Sequence, residues 1–246
     1  MPSVLAVNRL SKSFGNVVAV HDLSFEVASR EILGIIGPNG AGKTTMFSLI
    51  TGEIKPDQGE VVFNGEDVTF SRTYKKCRHG MARTYQIPRP FLNMTVLENL
   101  LVGAIYGAGL PYKQSKERCE ETLVKLGLIS KRDSFAAALP LLDRKRLELA
   151  KALSTNPTLI LVDEVAGGLS EGEVEDLLAI IHSVREQGVT VLWVEHIVMA
   201  MQKGPDRLLV MNFGRNIFCG RPEEAFNSEE VQKIYLGVEE KVDGHA

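Results

Sequence analysis

Cysteines and long apolar runs are both scarce in this sequence, and each absence excludes a class of protein. The three cysteines, Cys77, Cys119 and Cys219, are an odd number without C-x-x-C spacing, which predicts neither a disulfide framework nor a zinc site. No apolar run approaches the roughly 20 residues that span a bilayer, and the opening Met1–Val4 lacks the layout of a secretion signal. These absences predict a chain in a reducing, cytoplasmic compartment that reaches a membrane only through a partner.

An excess of positive charge is absent as well. The 28 lysine and arginine residues are outnumbered by 31 aspartate and glutamate residues, which gives a formal net charge of −3. Binding to duplex nucleic acid normally requires a concentrated basic face, so no nucleic acid is expected as a partner. The 246 residues are enough to bury a sizeable core, either as one large domain or as a core with an inserted subdomain.

What the sequence does contain is a glycine-rich segment between a strand pattern and a helix pattern. The phosphate-binding pattern G-x-x-x-x-G-K-[ST] is met by Gly37-Pro38-Asn39-Gly40-Ala41-Gly42-Lys43-Thr44, after an apolar run over 31–36 and before a helical start over 45–50. Glycines let backbone N–H groups turn toward phosphate oxygens, and the helix N-terminus adds positive potential. We therefore expect Lys43 to reach the β and γ phosphates of a nucleotide and the Thr44 hydroxyl to hold Mg²⁺.

Alternating strand and helix patterns predict a mainly parallel sheet around this loop. Residues 4–27 alternate apolar and polar side chains around a Phe14-Gly15-Asn16 turn, which predicts antiparallel strands ahead of the loop. Apolar runs over 158–162 and 189–194 predict buried strands, and the capping box that begins at Ser170 predicts a helix between them. In such a sheet the ligand-binding loops lie at the carboxyl ends of the strands.

Helical periodicity replaces the strand pattern between about residues 72 and 152. The capping box Thr95-Val96-Leu97-Glu98 predicts a helix that reaches toward Tyr106, and a second helix is expected over 114–126, before Gly127. This block predicts a helical subdomain inserted into an α/β core.

Three polar residues follow predicted strands at the edge of the sheet where ligands bind. Asp163 and Glu164 directly follow the strand over 158–162, and His196 follows a second core strand. In that position Asp163 would hold Mg²⁺ through a water, and Glu164 would polarise the water that attacks the γ phosphate. His196 would hydrogen-bond the γ phosphate. An Asp-Glu pair or a lone histidine is common on protein surfaces, so these roles depend on the glycine-rich loop upstream.

The order of these motifs resembles the ATP-binding subunit of ABC transporters over nearly the whole chain. The glycine-rich loop matches the family's Walker A motif, residues 160–164 match its Walker B strand, and His196 matches its switch histidine. Gln86 matches the glutamine that bridges Mg²⁺ and the helical subdomain, and Phe14 falls where the family stacks an aromatic ring on adenine. The resemblance therefore implies that this chain binds and hydrolyses ATP.

The resemblance also implies a set of ligands and a division of the chain. ATP would contact Phe14 and the loop from Gly37 to Thr45, and Mg²⁺ would be held by Thr44, Gln86 and Asp163. The implied fold is an α/β, RecA-like P-loop NTPase core with an N-terminal antiparallel β subdomain and an inserted α-helical subdomain. The single ABC ATPase domain over 1–246 would divide into a core over 1–86 and 156–237, a helical subdomain over 87–155 and a tail over 238–246.

Within that family the sequence is most similar to the ATPases of branched-chain amino acid importers. The similarity is carried by Met81-Ala82-Arg83-Thr84-Tyr85-Gln86, by the insert that follows, and by the ending Ile234-Tyr235-Leu236-Gly237. It implies a location on the inner face of the cell membrane, permease subunits that dock on residues 87–101, and a secreted solute-binding protein. Related modules for urea, amides or aromatic acids stay open, as do a weakly hydrolysing regulatory subunit and a soluble ATPase of DNA repair or translation.

The sequence departs from the family where the signature Leu-Ser-Gly-Gly-Gln caps the γ phosphate of ATP on an opposing subunit. The aligned residues are Leu139-Pro140-Leu141-Leu142-Asp143. Pro140 has no N–H, the two leucines add bulk, and Asp143 adds negative charge near an anion, so this half-site should be weakened. We therefore expect the partner to be a different ATP-binding subunit with an intact signature. A second departure, Val165 in place of the usual proline, is expected to be tolerated.

Overall fold

Strands and helices alternate along the described residues, which run from 3 to 236 in the computed structural model of the chain. The strands are β1 (Ser3–Phe14), β2 (Val17–Ala28), β3 (Ile32–Ile36), β4 (Gln58–Phe63), β5 (Glu66–Asp67), β6 (Met81–Arg83), β7 (Leu159–Asp163), β8 (Thr190–Val194), β9 (Arg207–Asn212) and β10 (Arg215–Gly220). The helices are α1 (Lys43–Thr51), α2 (Thr73–Arg78), α3 (Val96–Val102), α4 (Tyr112–Lys125), α5 (Leu141–Ser154), α6 (Glu171–Glu186), α7 (Val198–Lys203), α8 (Pro222–Asn227) and α9 (Glu229–Leu236). None of these helices has the length and apolar character that a membrane span requires. The predicted tail over 238–246 lies outside the described residues.

The larger of two sheets is mainly parallel, which confirms the sequence prediction. Its strand order is β10-β9-β3-β8-β7-β6, and only β10 runs antiparallel to its neighbour. The smaller sheet, β2-β1-β4-β5, is antiparallel, and β1 with β2 forms the hairpin predicted for 4–27. The carboxyl ends of β3, β8 and β7 therefore meet at one edge of the larger sheet, where the phosphate-binding loop begins.

Both faces of the larger sheet are covered, which explains the uninterrupted apolar runs of its strands. In β3, Ile32 and Ile36 belong to the core shared with α3 to α6, whereas Leu33 and Ile35 belong to the core around α1 and the smaller sheet. Successive side chains of a strand point to opposite faces, so each central strand contributes to both cores.

Two capping boxes begin helices where the sequence predicts them. The Glu98 N–H donates to Thr95 Oγ1 at 3.2 Å and the Thr95 N–H donates to the Glu98 carboxylate at 2.7 Å, ahead of α3. Ser170 and Glu173 form the second box ahead of α6. A π-helical turn over Gly103–Gly107 continues α3, and α4 ends just before Gly127, so both helices predicted in this block are confirmed.

One strand contradicts the helical interpretation of residues 72–152. Met81–Arg83 forms β6, which pairs in parallel with β7 at the edge of the larger sheet. With three residues, β6 is too short to show the period of two that identifies a strand in a sequence. The helical interpretation is therefore wrong at β6, which takes its conformation from its neighbour and leads the chain to Gln86.

Candidate functional site

Close backbone contacts leave no room for side chains at two glycines of the phosphate-binding loop, which joins β3 to α1. A Cβ atom on Gly42 would lie 2.2 Å from the Ala19 carbonyl oxygen, and one on Gly37 would lie 2.2 Å from the Met211 carbonyl oxygen. Gly42 also has a φ of 97°, in the left-handed region that favours glycine. These contacts fix the turn that leads into α1.

The Lys43 ammonium is folded into the loop. Its Nζ donates to the carbonyl oxygen of Gly37 at 2.7 Å and to that of Pro38 at 3.0 Å. Burial lowers the pKa of Lys43, and the carboxylates of Glu164 and Asp163 act in the opposite direction. The loop therefore holds a cation close to its own backbone, within a segment suited to bind phosphate.

A cavity of about 320 Å³ opens beside the loop. It is lined by the loop over 39–45, by the start of β2, and by Gln86 and Glu164. The structure therefore brings most of the predicted nucleotide-binding residues together with two of the predicted catalytic ones. Sequence reasoning missed the lining residues from β2, Val17, Val18 and Ala19, although two valines directly after a turn are a recognisable signal of an apolar surface.

Phe14, the predicted adenine contact, lies at the end of β1 opposite Val17. Its ring is about half exposed, and the Lys12 ammonium lies 5.6 Å from the ring centroid. Val17 lines the cavity and Phe14 does not, among the residues that the structure describes. The adenine contact of Phe14 stays a prediction.

Asp163, the last residue of β7, is paired with an arginine that sequence reasoning did not assign to it. Its Oδ2 lies 2.9 Å from a guanidinium nitrogen of Arg83, and each side chain is 7% exposed. The same guanidinium lies 3.1 Å from the Glu53 carboxylate. The Asp163 N–H donates to the Thr84 hydroxyl at 3.1 Å. Strand β6 and the residue after it thus hold the end of β7.

Three predicted catalytic residues meet around one carboxylate oxygen. The Gln86 amide donates to Glu164 Oε2 at 2.5 Å, and His196 Nδ1 lies 3.7 Å from the same oxygen. Glu164 has a φ of 43°, in the left-handed region that non-glycine residues rarely adopt. A carboxylate beside a phosphate-binding loop can accept a proton from water, so the arrangement suits transfer of a phosphoryl group to water.

A second carboxylate, missed by the sequence reasoning, orients the histidine. Glu195 is fully buried. Its Oε1 accepts the backbone N–H of His196 at 2.9 Å and lies 3.2 Å from Nδ1 of the His196 ring. Burial raises the pKa of Glu195, whereas the N–H groups of His196 and Ala166 act in the opposite direction. In the sequence Glu195 is a single polar residue after an apolar strand. That pattern does not indicate that its side chain is buried.

The residues aligned with the family signature form the start of α5. Pro140 is the N-cap residue and makes no side-chain cap, and Leu141 is exposed. The Asp143 carboxylate is buried and forms an ion pair with Lys131. The expectation that Asp143 adds negative charge near an anion needs correction, because Lys131 neutralises that charge. The missing hydroxyl at Pro140 and the bulk of Leu141 and Leu142 remain as reasons to expect a weakened half-site.

Comparison with known proteins identifies the family. The family model described as ABC transporter matches residues 20–167. The chain belongs to this family. As an ABC ATP-binding subunit it hydrolyses ATP to drive transport, and such subunits act with transmembrane permease subunits.

Curated ABC relatives with different transport roles are equally similar to the chain. The lipopolysaccharide export system ATP-binding protein LptB of Haemophilus influenzae is 35% identical over 240 residues, covering 98% of this chain and all of LptB. The high-affinity branched-chain amino acid transport ATP-binding protein LivG of Salmonella typhimurium is 35% identical over 249 residues, covering 95% of this chain and 98% of LivG. Overall identity therefore does not select the solute.

Solved ABC cassettes share the fold. The crystal structure of MJ1267, an ATP-binding cassette in its ADP conformation, gives a TM-score of 0.88 at 32% identity and covers 96% of this chain and all of that one. A nucleotide-free cassette gives a TM-score of 0.87 at 31% identity, covering 95% of this chain and 99% of that one. The P-loop NTPase fold with its mixed sheets is thus confirmed.

Proposed function

We propose that the chain is the ATP-hydrolysing subunit of an importer for branched-chain or other amino acids. The observation that carries the hydrolytic part is the meeting of Gln86, Glu164 and His196 beside the phosphate-binding loop. The motif over 81–86 and the LivG and BraF relatives support amino acids as the solute. Lipopolysaccharide export is a second candidate, because the LptB relative is equally similar.

Hydrolysis would transfer the γ phosphoryl group of ATP to water at this cluster. Glu164 orients the attacking water and accepts its proton, and His196 hydrogen-bonds the γ phosphate. Lys43 and the backbone N–H groups of the loop stabilise the charge that develops on the phosphate oxygens. Adenine stacks on Phe14 at the end of the β1–β2 hairpin.

The donor set beside the loop fits Mg²⁺ as the ion bound with ATP. The Thr44 hydroxyl, the Gln86 amide oxygen and the Asp163 carboxylate are the oxygen ligands that this ion prefers. Thr44 and Gln86 line the same cavity, and Asp163 precedes Glu164, which also lines it. When bound, Mg²⁺ supplies positive charge that neutralises phosphate oxygens. The Arg83 guanidinium, 2.9 Å from Asp163 Oδ2, holds this carboxylate in place.

The second ATP-binding subunit of the complex is a different chain with an intact signature. That partner would cap the ATP held by this chain, whereas Pro140, Leu141 and Leu142 would face the partner's ATP in a weakened half-site. Each charge-assisted hydrogen bond lost there costs about 1.5 to 3 kcal/mol, so the second half-site is expected to hydrolyse ATP far more slowly.

The permease subunits dock on the groove between α3, α5 and β6. This groove, of about 270 Å³, is lined by both acidic and basic side chains and by aromatic ones, including Tyr85, Phe91, Glu148 and Lys151. The exposed Ile87 and Phe91 lie in the segment over 87–101 that the sequence assigns to docking. Such docking places the chain on the inner face of the cell membrane, and a secreted solute-binding protein delivers the solute to the permease.

Reconstitution of the chain with its permease and partner subunits in liposomes tests the proposal. Stimulation of ATP hydrolysis by a binding protein loaded with leucine, and uptake of leucine, are expected. Stimulation only by lipopolysaccharide, urea, an amide or an aromatic acid would replace the proposed solute. A rate equal to that of a Glu164→Gln complex would instead support a weakly hydrolysing regulatory subunit.

A further inference from the structure

A buried lysine on α5 holds the loop over 165–167, which directly follows Glu164. Lys145 Nζ donates to the carbonyl oxygen of Val165 at 3.0 Å and to that of Gly167. Its side chain is buried, and burial lowers its pKa. A buried ammonium is costly unless its donors are used, so these two bonds fix the position of the loop relative to α5.

The same loop is held from the end of β8. The Glu195 carboxylate accepts the Ala166 N–H at 2.8 Å through Oε2, while its Oε1 accepts the His196 N–H. Lys145 therefore holds the loop's carbonyl groups and Glu195 holds an N–H group of the loop. Between the two contacts, the backbone next to Glu164 has little freedom to move.

Glu164 needs such support because its own backbone conformation is strained. Its φ is 43°, and a non-glycine residue persists in the left-handed region only when its surroundings hold it there. On the side before Glu164, β7 is fixed by its neighbours in the sheet. On the side after it, Lys145 and Glu195 supply the contacts.

We propose that Lys145 is a positioning residue for ATP hydrolysis, which holds Glu164 in place through the loop over 165–167. The inference rests on the proposed role of Glu164 as the general base. Helix α5 starts at Leu141, so Lys145 also ties this loop to the helix whose start would face the partner's ATP. Closure of the partner on that helix would reach Glu164 through the Lys145 contacts.

Substitution of Lys145 in the assembled transporter complex tests this role. Lys145→Met is expected to lower kcat about 10-fold or more while the KM for ATP changes by less than about 3-fold, because positioning is lost and ATP binding is not. Lys145→Arg, which keeps a cationic donor, should recover at least about a third of the rate. Hydrogen exchange should become faster at the amides of 164–168 in Lys145→Met and stay unchanged in β3.

Lys125→Met is the matched control. Lys125, at the end of α4, also makes a long-range hydrogen bond, from its Nζ to Oε1 of Gln187 at 2.9 Å, and Gln187 directly follows α6 rather than Glu164. Its kcat should stay within about 2-fold of the parent. If Lys145→Met does not fold, Lys145→Gln, whose side chain is polar but uncharged and shorter than that of lysine, must show a loss of kcat at unchanged KM.

Two results would overturn the inference. One is a Lys145→Met complex with parental kcat, and the other is a loss of kcat matched by weaker ATP binding and by a general loss of stability. The Glu164→Gln complex is measured in parallel, so that a failure of the role of Lys145 can be distinguished from a failure of the proposed function. If Glu164→Gln also keeps the parental rate, the role of Glu164 fails, and the role of Lys145 fails with it.

Discussion

Arg83 and Asp163 form a buried ion pair that joins the edge strand β6 to the end of β7. Their closest atoms are 2.9 Å apart, and the Arg83 guanidinium also lies 5.3 Å from the centroid of the Tyr85 ring. Tyr85 and Arg83 both line the groove proposed for permease docking. One arginine thus contacts both the proposed metal ligand and the proposed docking surface.

Loss of this arginine should destabilise the fold. Arg83→Leu leaves the Asp163 carboxylate buried without its partner, which typically costs about 3 to 5 kcal/mol. We expect the free energy of unfolding in urea to fall by about that amount. Arg185→Leu is the control, because its ion pair with Asp206 is partly exposed and should contribute only about 0 to 1 kcal/mol. Equal losses in the two variants would contradict the structural role of the buried pair.

A buried lysine should make stability depend on pH at alkaline values. Lys76 Nζ donates to the Ile50 carbonyl oxygen at 2.7 Å, and burial lowers the pKa of Lys76 from 10.5 to about 8. Between these two pH values the unfolded chain binds more protons at Lys76 than the folded chain does. The contribution of Lys76 to the free energy of unfolding is therefore constant below about pH 8 and rises toward pH 10.5, by about 3 kcal/mol at most.

Urea unfolding of the parent and of Lys76→Met at pH 7 and pH 10 checks this prediction. Between pH 7 and pH 10 the free energy of unfolding of the parent should rise relative to that of Lys76→Met. Other groups titrate in the same range, but they contribute equally to both proteins. An identical change with pH in the two proteins would show that Lys76 keeps its ordinary pKa when folded.

Restoring small residues at the start of α5 should speed the weakened half-site. The variant Pro140→Ser, Leu141→Gly, Leu142→Gly returns a hydroxyl and open backbone N–H groups, and it keeps Asp143 because Lys131 neutralises that carboxylate. A gain of about 1.5 to 3 kcal/mol in transition-state binding corresponds to a rate increase of about 10-fold or more. The rate is measured in the complex with this chain's own Glu164→Gln change, so that only the partner's ATP is hydrolysed. No increase would contradict the proposed cause of the weakness.

Local patterns were sufficient to predict the elements that build the site. The phosphate-binding loop, the strand before Asp163 and the capping boxes at Thr95 and Ser170 each depend on residues close in the sequence. β6 was missed because it is short and depends on pairing with β7. Sequence periodicity does not record such pairing.

The contacts that position the site residues could not be predicted from local sequence patterns, because they join distant parts of the chain. Arg83 and Asp163 are 80 residues apart, and Lys145 and Gly167 are 22 residues apart. A buried Lys145 or Glu195 looks like an ordinary solvated charge in the sequence. Lys131 likewise neutralises the charge of Asp143 only in the folded chain, because the ion pair forms once the start of α5 packs beside the turn over 129–131.

Comparison of two matched substitutions tests most directly whether this chain holds the competent half of an asymmetric pair. In the complex, Glu164→Gln in this chain should lower kcat by about 100-fold or more, the usual effect of losing a general base, while ATP still binds. The matching substitution in the partner should leave most of the activity, because in the proposed complex the partner's ATP would face Leu141 and Leu142. Equal losses from the two substitutions would contradict the asymmetric pair.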